Sequence, residues 1–450
     1  MAPIGEKRAR RCINNSHKAS PPSLQRKLIN RNYAKLWYGQ AVSAVGDSVF
    51  GTTLVLWVSQ VLASGRSWAP AAVSGILIAA GAAFALVGPV AGVFVDRWNR
   101  KSTMMRTEVI RAAMVVALVG LSFVPVRDLP IGLWLAAVYL VVFVLTAAGQ
   151  FFNPARFATT GDVVHGEEDR ARAAGLAEAT TSAAWILGPP IAAPLLFTVG
   201  LQWALTANAV SYIVSYLAIR FLRVTPEPGP PAGAGATSLR AEFSLGLRLF
   251  TRNRFLVTLL TVTMICQCGT GAINTLNVFF VTRDLHASPH LFGVAETAIG
   301  AGFIVGALAA GRLVRWIGAR ALTWSGLLAA GVLAVGYALQ RSFPAGLVML
   351  AVYAVPIAML NTAVAPLLLD AAPREYVGRV MAVFTPVNQL ASMVSVVASG
   401  WLTSTVLRSF RVSFAGLTLN SVSLIFIIAG TLIFASGIRA LAALPPAPTS

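Results

Sequence analysis

Charge is what this sequence has least of. Only 11% of its 450 residues are Asp, Glu, Lys or Arg, against roughly a quarter in an ordinary soluble domain. Acids are the scarcer sign, with 16 Asp and Glu against 35 Lys and Arg. A chain that is 56% hydrophobic cannot hide so many apolar side chains in soluble cores. Cysteine is nearly absent: Cys12, Cys266 and Cys268 are too few for a disulfide framework. Cys266 and Cys268 are two apart, so on a helix they diverge and read as packing residues rather than metal ligands. The histidines, His17, His165, His286 and His290, are scattered, so no metal and no cofactor is expected. No G-x-x-x-x-G-K-[ST] phosphate loop and no soluble domain are recognisable, which argues against an enzyme and against ATP-driven transport within this chain. The first 35 residues are polar and basic and lack a short apolar run, so the first span is expected to be retained rather than cleaved.

What the sequence has in quantity is apolar, helix-length segments. Spans are predicted at about 36–62, 71–94, 104–125, 131–152, 176–198, 202–222, 255–281, 291–311, 321–339, 345–369, 379–404 and 412–437, each near the ~20 residues that cross a bilayer. Transmembrane strands fit poorly, because they need ~10-residue alternating segments. The expectation is an all-α membrane protein of about twelve transmembrane helices.

Loop charges orient the spans. With the N-terminus inside, about 29 of the 35 Lys and Arg fall on inner segments. About six are left outside: Arg66, Arg127, Arg283, Arg341, Arg408 and Arg411. Topology thus accounts for the net charge of +19, and nucleic acid is not an expected partner. Residues 223–253, rich in Pro, Gly and Ala, read as a central linker between a first half (36–222) and a second half (254–438). Residues 1–35 and 439–450 read as inner tails. Weak repeats support two pseudo-symmetric six-helix halves: Ala91-Gly92 and Ala310-Gly311 end corresponding spans, and Pro154 to Gly175 parallels Pro366 to Gly378.

The loop between spans two and three reads Gly92-Val-Phe-Val-Asp96-Arg97-Trp-Asn-Arg100-Lys101. Asp96 at a helix end can face the positive end of another helix, with span eleven near Gly378 the candidate. Arg97, Arg100 and Lys101 can bridge to Glu108, Asp162 or Glu178. Positive charges alone are also a simple topology signal, although that rule asks for no Asp. This G-x-x-x-D-R-x-x-R-K pattern, in a short inner loop of a twelve-span chain, resembles the signature of the major facilitator superfamily. The resemblance implies two halves that rock about a central cavity, exposing it to each side in turn. Span five carries Gly188-Pro189-Pro190 within Ala184-Trp185-Ile-Leu-Gly-Pro-Pro-Ile-Ala192. It is similar to the G-x-x-x-G-P-x-x-G element of the superfamily's proton-driven exporters, with Ala184 and Ala192 in place of glycines. An ordinary proline kink is the plainer reading. Asn30 to Gln40, Ser43 to Asp47, Phe151 to Arg156 and Gly378-Arg379-Val380 resemble the branch with the enterobactin exporter and macrolide-efflux permeases. The likeness runs over nearly the whole chain, roughly 30–439.

Positions that break the apolar rule are the functional candidates. Asp47, near the middle of span one, and Glu296, in the outer part of span eight, are candidate proton-coupling acids. Burial favours a neutral carboxyl, the condition a proton carrier needs. Either acid is otherwise a structural group bonded to a neighbour. Gln40, Ser43 and Asp47 share a stripe on span one. Gln267, Asn274 and Asn277 share one on span seven, and Thr385, Asn388 and Gln389 lie on span eleven. These are the cavity and substrate candidates, because the resemblance implies that spans one, four, seven and ten line the cavity with help from two, five, eight and eleven. Glu108, Arg111, Arg156, Asp162 and Glu178 read as a charge network near the inner ends. Trp57, Phe152, Trp185 and Phe279 are candidate cavity aromatics, or packing residues.

Three readings follow. The first is proton-coupled export, by alternating access, of an amphipathic small molecule such as a drug, toxic metabolite or siderophore, in the inner membrane of a bacterium. The second is import of a metabolite. The third is a membrane receptor or enzyme. The expected partners are a small-molecule substrate, protons and the lipid bilayer, with the chain acting as a monomer.

Overall fold

The computed structural model describes residues 29–95, 98–223, 253–371, 377–414 and 417–443. The first half comprises α1 (Arg31–Trp57), α2 (Ala69–Val95), α3 (Arg100–Leu121), α4 (Ile131–Val163), α5 (Glu167–Pro194) and α6 (Leu201–Arg220). The second half begins with α7 (Arg254–Phe279) and a continuous helical stretch, Phe292–Ala338. Gly318 interrupts that stretch at φ 80°, a conformation open to glycine and costly for other residues. It therefore divides α8 (292–317) from α9 (319–338). α10 (Phe343–Ala371), α11 (Val377–Ser404) and α12 (Ser421–Ala443) complete the chain. Among the described residues the helices thus match the expected twelve in number and order.

Local chemistry sets several of the starts. Asn30, Asn99 and Asn253 each accept a backbone N–H of the first turn through the side-chain oxygen, satisfying donors a helix start leaves orphaned. The span-length apolar windows cover α1, α2, α4, α5, α7, the α8–α9 stretch, α10 and α12. The other three, α3, α6 and α11, are as long but carry more polar side chains. The departures from the sequence reading are at the boundaries. α1 starts at Arg31 rather than near 36. The last span starts at Ser421 rather than 412, because β1 (Arg411–Phe414) and β2 (Leu417–Asn420) pair as an antiparallel hairpin first. Asn420 ends the hairpin and caps α12, its side-chain oxygen accepting from Val422 and Ser423 N–H.

Corresponding helices make corresponding contacts. α1 packs on α5 and α6, as α7 packs on α11 and α12. α2 and α3 pack on α4, as the α8–α9 stretch packs on α10. Between the halves, α2 meets α11 and α5 meets the start of α8. The expected linker (223–253) falls on 224–252, outside the described residues but for its two ends; the inner tails lie outside them at 1–28 and 444–450, while 31–35 open α1 and 439–443 close α12.

Candidate transport site

Hydrogen-bonded polar side chains interrupt the apolar helices in two groups, one in each half. In the first half, Gln40, Ser43 and Asp47 lie along one face of α1, and that face meets α6. There Asn208, Ser211, Tyr212 and Ser215 repeat at helical spacing and are all buried. The Tyr212 hydroxyl donates to Asp47 Oδ1. Gln40 Nε2 donates to Ser215 Oγ at 2.9 Å, and Ser215 Oγ donates to Glu108 Oε1 at 2.6 Å. This relay ties α1, α6 and α3 together.

Arg111 lies almost one turn beyond Glu108 on α3. Its guanidinium carbon sits 5.2 Å from the Phe152 ring centroid and 5.6 Å from that of Tyr212, a cation over aromatic faces. It is the cation whose charge acts on both Asp47 and Glu108. Glu108 is fully buried and Arg111 is 8% exposed, while Asp47 keeps exposed surface. Among the described residues, Glu108 Oε2 and Arg111 Nε are buried without a hydrogen-bond partner. Both residues therefore sit with Asp47 in the interior rather than in the end network read from the sequence. The reason is helix phase: α3 starts at Arg100, so Glu108 and Arg111 lie two to three turns in, on its buried face.

The network at the end carrying the termini is smaller. Arg100 Nη1 contacts both Asp162 oxygens, at 2.8 and 2.7 Å. Lys101 Nζ donates to the Arg220 and Leu222 carbonyls, both at 2.8 Å. Arg156 is half-buried near the neutral Tyr33 and within range of the Arg111 charge, and Glu178 is exposed. Gly92 lies in the last turns of α2, whereas Asp96 and Arg97 lie outside the described residues.

In the second half, Asn277 joins three helices. Its Nδ2 donates to Glu296 Oε1 at 2.9 Å, and its Oδ1 accepts from the Tyr337 hydroxyl at 2.7 Å. The Tyr337 ring packs on Phe280 and Phe426. Gln267 accepts from Thr270 within α7, and Asn274 is exposed. Asn388 donates to the Phe384 carbonyl of its own helix, Gln389 is half-buried, and Thr385 is exposed. Asp47 and Glu296 are thus each bonded within their own half. Of the candidate aromatics, Phe152 lies under Arg111, Trp57 packs edge-on against Trp134 in the core, and Phe279 is buried beneath Arg283. Trp185 is 66% exposed.

Gly188, Pro189 and Pro190 stand where three helices meet. A Cβ at Gly188 would strike Ser48 of α1, and one at Gly293 of α8 would strike the Pro189 carbonyl. Pro190 has no amide to bond Ile186 O, and the Thr297 hydroxyl of α8 approaches that carbonyl at 3.3 Å. On the other side of the interface, Ser74 of α2 donates toward Val396 O of α11 at 3.0 Å. Ser74 and Thr297 are each the sixth residue of their helices, so the repeat places matching hydroxyls across both contacts between the halves. These contacts lie at the end remote from the termini.

Tyr212, Ser215, Tyr337, Thr297 and Ser74 were not singled out from the sequence. For the α6 pair a signal existed, since Asn208, Ser211, Tyr212 and Ser215 form a polar stripe at helical spacing in an otherwise apolar segment. Ser74 and Thr297 are lone hydroxyls among small residues, and nothing local distinguishes them.

The chain is similar to known proteins in sequence and in fold. The family model for the Major Facilitator Superfamily matches residues 36–395 and, overlapping, 259–450. Macrolide efflux protein A of Streptococcus pyogenes is 25% identical over 276 residues, which cover 61% of this chain and 65% of that protein. The matched stretch is therefore just under two thirds of that relative's length. Multidrug efflux pump Tap of Mycolicibacterium fortuitum is 26% identical over 324 residues, covering 69% of this chain and 75% of that protein. In structure, a bacterial homologue of the iron transporter ferroportin, in an inward-facing state, superposes with a TM-score of 0.71 at 13% identity, covering 94% of this chain and 99% of the other.

Proposed function

Since the chain belongs to the major facilitator superfamily, a family of transporters rather than enzymes, we propose that it exports an amphipathic small molecule by alternating access, driven by protons. The observation that carries the coupling is the interior group of Asp47, Tyr212, Arg111 and Glu108. Two acids and one cation within membrane-spanning helices are expensive to keep and are retained where they work. Asp47 is the most exposed of them, which supports it as the member that exchanges protons. The protonated acid and the free carboxylate interact differently with Arg111 and Tyr212. Proton binding therefore biases the states of the first half by that difference. Glu296, with Asn277 and Tyr337, is the corresponding candidate in the second half.

Export rather than import is favoured by the efflux proteins among the relatives and by the Gly188–Pro190 kink at the inter-half contact. Contact between the halves at the remote end suits a state open toward the termini. With the cationic loops inside, that opening faces the cytoplasm of a bacterial inner membrane. Substrate enters there, and protonation of Asp47 from outside resets the cycle.

The test is extrusion of ethidium and of a macrolide from cells with and without the protein, before and after a protonophore. Faster loss of the probe that collapses with the proton gradient is expected. Uptake stimulated by an inward proton gradient would replace export with import.

A further inference from the structure

At the end remote from the termini, a cavity of about 570 Å³ opens between the two halves. Ser59, Gln60 and Arg66, from the end of α1 and the turn after it, line one side; Thr282, Arg283 and Arg408, beyond the ends of α7 and α11, line the other. No Asp or Glu lines it among the described residues. The nearest acid in sequence, Asp284, does not line the cavity; its Oδ1 accepts from Asn420 at 2.6 Å and from Ser423 at 3.2 Å, while its charge offsets part of that of Arg283. None of the three arginines is in an ion pair among the described residues. The Arg283 guanidinium carbon lies 5.0 Å from the Phe279 ring centroid, a cation held over an aromatic face.

This concentration is unusual for its place. The loop charges leave only about six cations for that end of the molecule, and three of them share one cavity. Three like charges around a common space repel one another, and an oxyanion relieves that repulsion while matching the guanidinium fork. The Ser59 and Thr282 hydroxyls beside it donate to the Leu56 and Val278 carbonyls, and Gln60 Nε2 donates to Ser59 Oγ, so the arginines carry the recognition. We propose that this cavity binds an anionic group, a carboxylate or phosphate, between the halves and so holds the remote end closed. Arg66 belongs to the first half and Arg283 and Arg408 to the second. An anion held by both sides loses contacts when that end opens, so it binds the closed state better and shifts the population toward it. The site does not depend on what the central region transports. Two sources carry the same chemistry: a soluble anion in the outer medium, and the phosphate of a lipid headgroup at the membrane edge.

The test uses the full chain in nanodiscs, with Cys12, Cys266 and Cys268 replaced by Ala or Ser. Spin labels on V61C and L291C, both outside the cavity, read the distance across the remote end. In phosphatidylcholine discs, citrate or inorganic phosphate at constant ionic strength is expected to raise the ratio of closed to open molecules about fivefold or more over chloride. If lipid is the source, phosphatidylglycerol discs produce the closure without citrate. In either arm the effect should vanish in Arg66→Gln with Arg408→Gln and weaken in Arg66→Lys, which keeps the charge but not the fork. The variants' melting temperature in chloride checks their folding. Closure unaffected by citrate, phosphate and phosphatidylglycerol alike, or unchanged in the double variant, overturns the proposal.

Discussion

Thr297 of α8 points its hydroxyl at the Ile186 carbonyl of α5, 3.3 Å away, and that carbonyl is one Pro190 leaves without an amide. A break made inside one half is thus filled by a donor from the other. Ser74 repeats the contact toward Val396 at 3.0 Å, where the carbonyl keeps its helical amide at Gly400 and the hydroxyl is an addition. Both hydroxyls also bond a carbonyl of their own helix, Gly293 and Pro70. Each side chain therefore has a partner when the halves part, which keeps opening inexpensive.

Removing these hydroxyls is expected to favour opening at the remote end. A net hydrogen bond contributes about 0.5–1.5 kcal/mol, and sharing with the helix carbonyl places each of these low in that range. Thr297→Val and Ser74→Ala should each reduce the closed-to-open ratio about two- to threefold. The sites lie on different helix pairs, so the double variant should approach the product of the two. Spin-label distances across the remote end measure the ratio. An unchanged distribution in the double variant removes the hydroxyls from the closing contact.

Gly188 and Gly293 are expected to respond differently to the same enlargement. Gly188 meets Ser48 inside the first half, whereas Gly293 meets Pro189 across the interface. Overpacking within a half has no rigid-body relief and costs about 1–3 kcal/mol, so Gly188→Val should lower the melting temperature by several degrees. Gly293→Val can be relieved by moving the halves apart. It should leave the melting temperature near that of the parent while shifting the population toward opening at the remote end. Equal loss of stability in both variants would show that the α5–α8 contact is not one that moves.

The apolar runs made the helices and their order legible, because a bilayer-spanning segment declares itself by length alone. The Arg100–Asp162 pair was legible too, as one of several bridges the loop motif allowed. The placement of Glu108 and Arg111 was not. Their sequence positions sit near a predicted span end, and only the start of α3 at Arg100 and its packing on α6 put them beside Asp47. The hairpin at 411–420 was hidden for a related reason. Its Val412, Leu417 and Leu419 continue the apolar character of the following helix, and the tie from Asn420 to Asp284 is long-range. The Thr297–Ile186 contact depends on how one half meets the other, and no periodicity within a span encodes that.

Arg111 is expected to matter for folding as well as transport. With Glu108 buried beside it, Arg111→Met removes the cation and leaves two acids in a low-dielectric interior, at a cost of about 1–3 kcal/mol or more. The melting temperature of the purified variant should fall clearly, and ethidium extrusion should be lost. Adding Glu108→Gln removes one of the stranded acids while keeping an acceptor for Ser215. The double variant should therefore be more stable than Arg111→Met alone, a non-additive result that neighbouring groups produce. Additive destabilisation would separate the two residues energetically despite their proximity.

The decisive substitutions for coupling are at Asp47 and Tyr212. Asp47→Asn keeps the size of the side chain and an oxygen for the Tyr212 hydroxyl, but it cannot change charge. In proteoliposomes with an imposed pH gradient, it should lose gradient-driven accumulation of ethidium while still allowing downhill equilibration. Tyr212→Phe leaves the carboxyl able to bind a proton and removes only the donor that positions it. This variant should remain coupled but slower, by up to about tenfold if the hydroxyl contributes its full ~1.4 kcal/mol to the rate-limiting step. The pair distinguishes a coupling acid from a structural one. A structural Asp47 predicts that both variants fail together, through loss of folded protein, or that both still pump. Gradient-driven accumulation by Asp47→Asn at the parent rate would move the coupling site elsewhere, with Glu296 and its Asn277 partner the next group to test by Glu296→Gln.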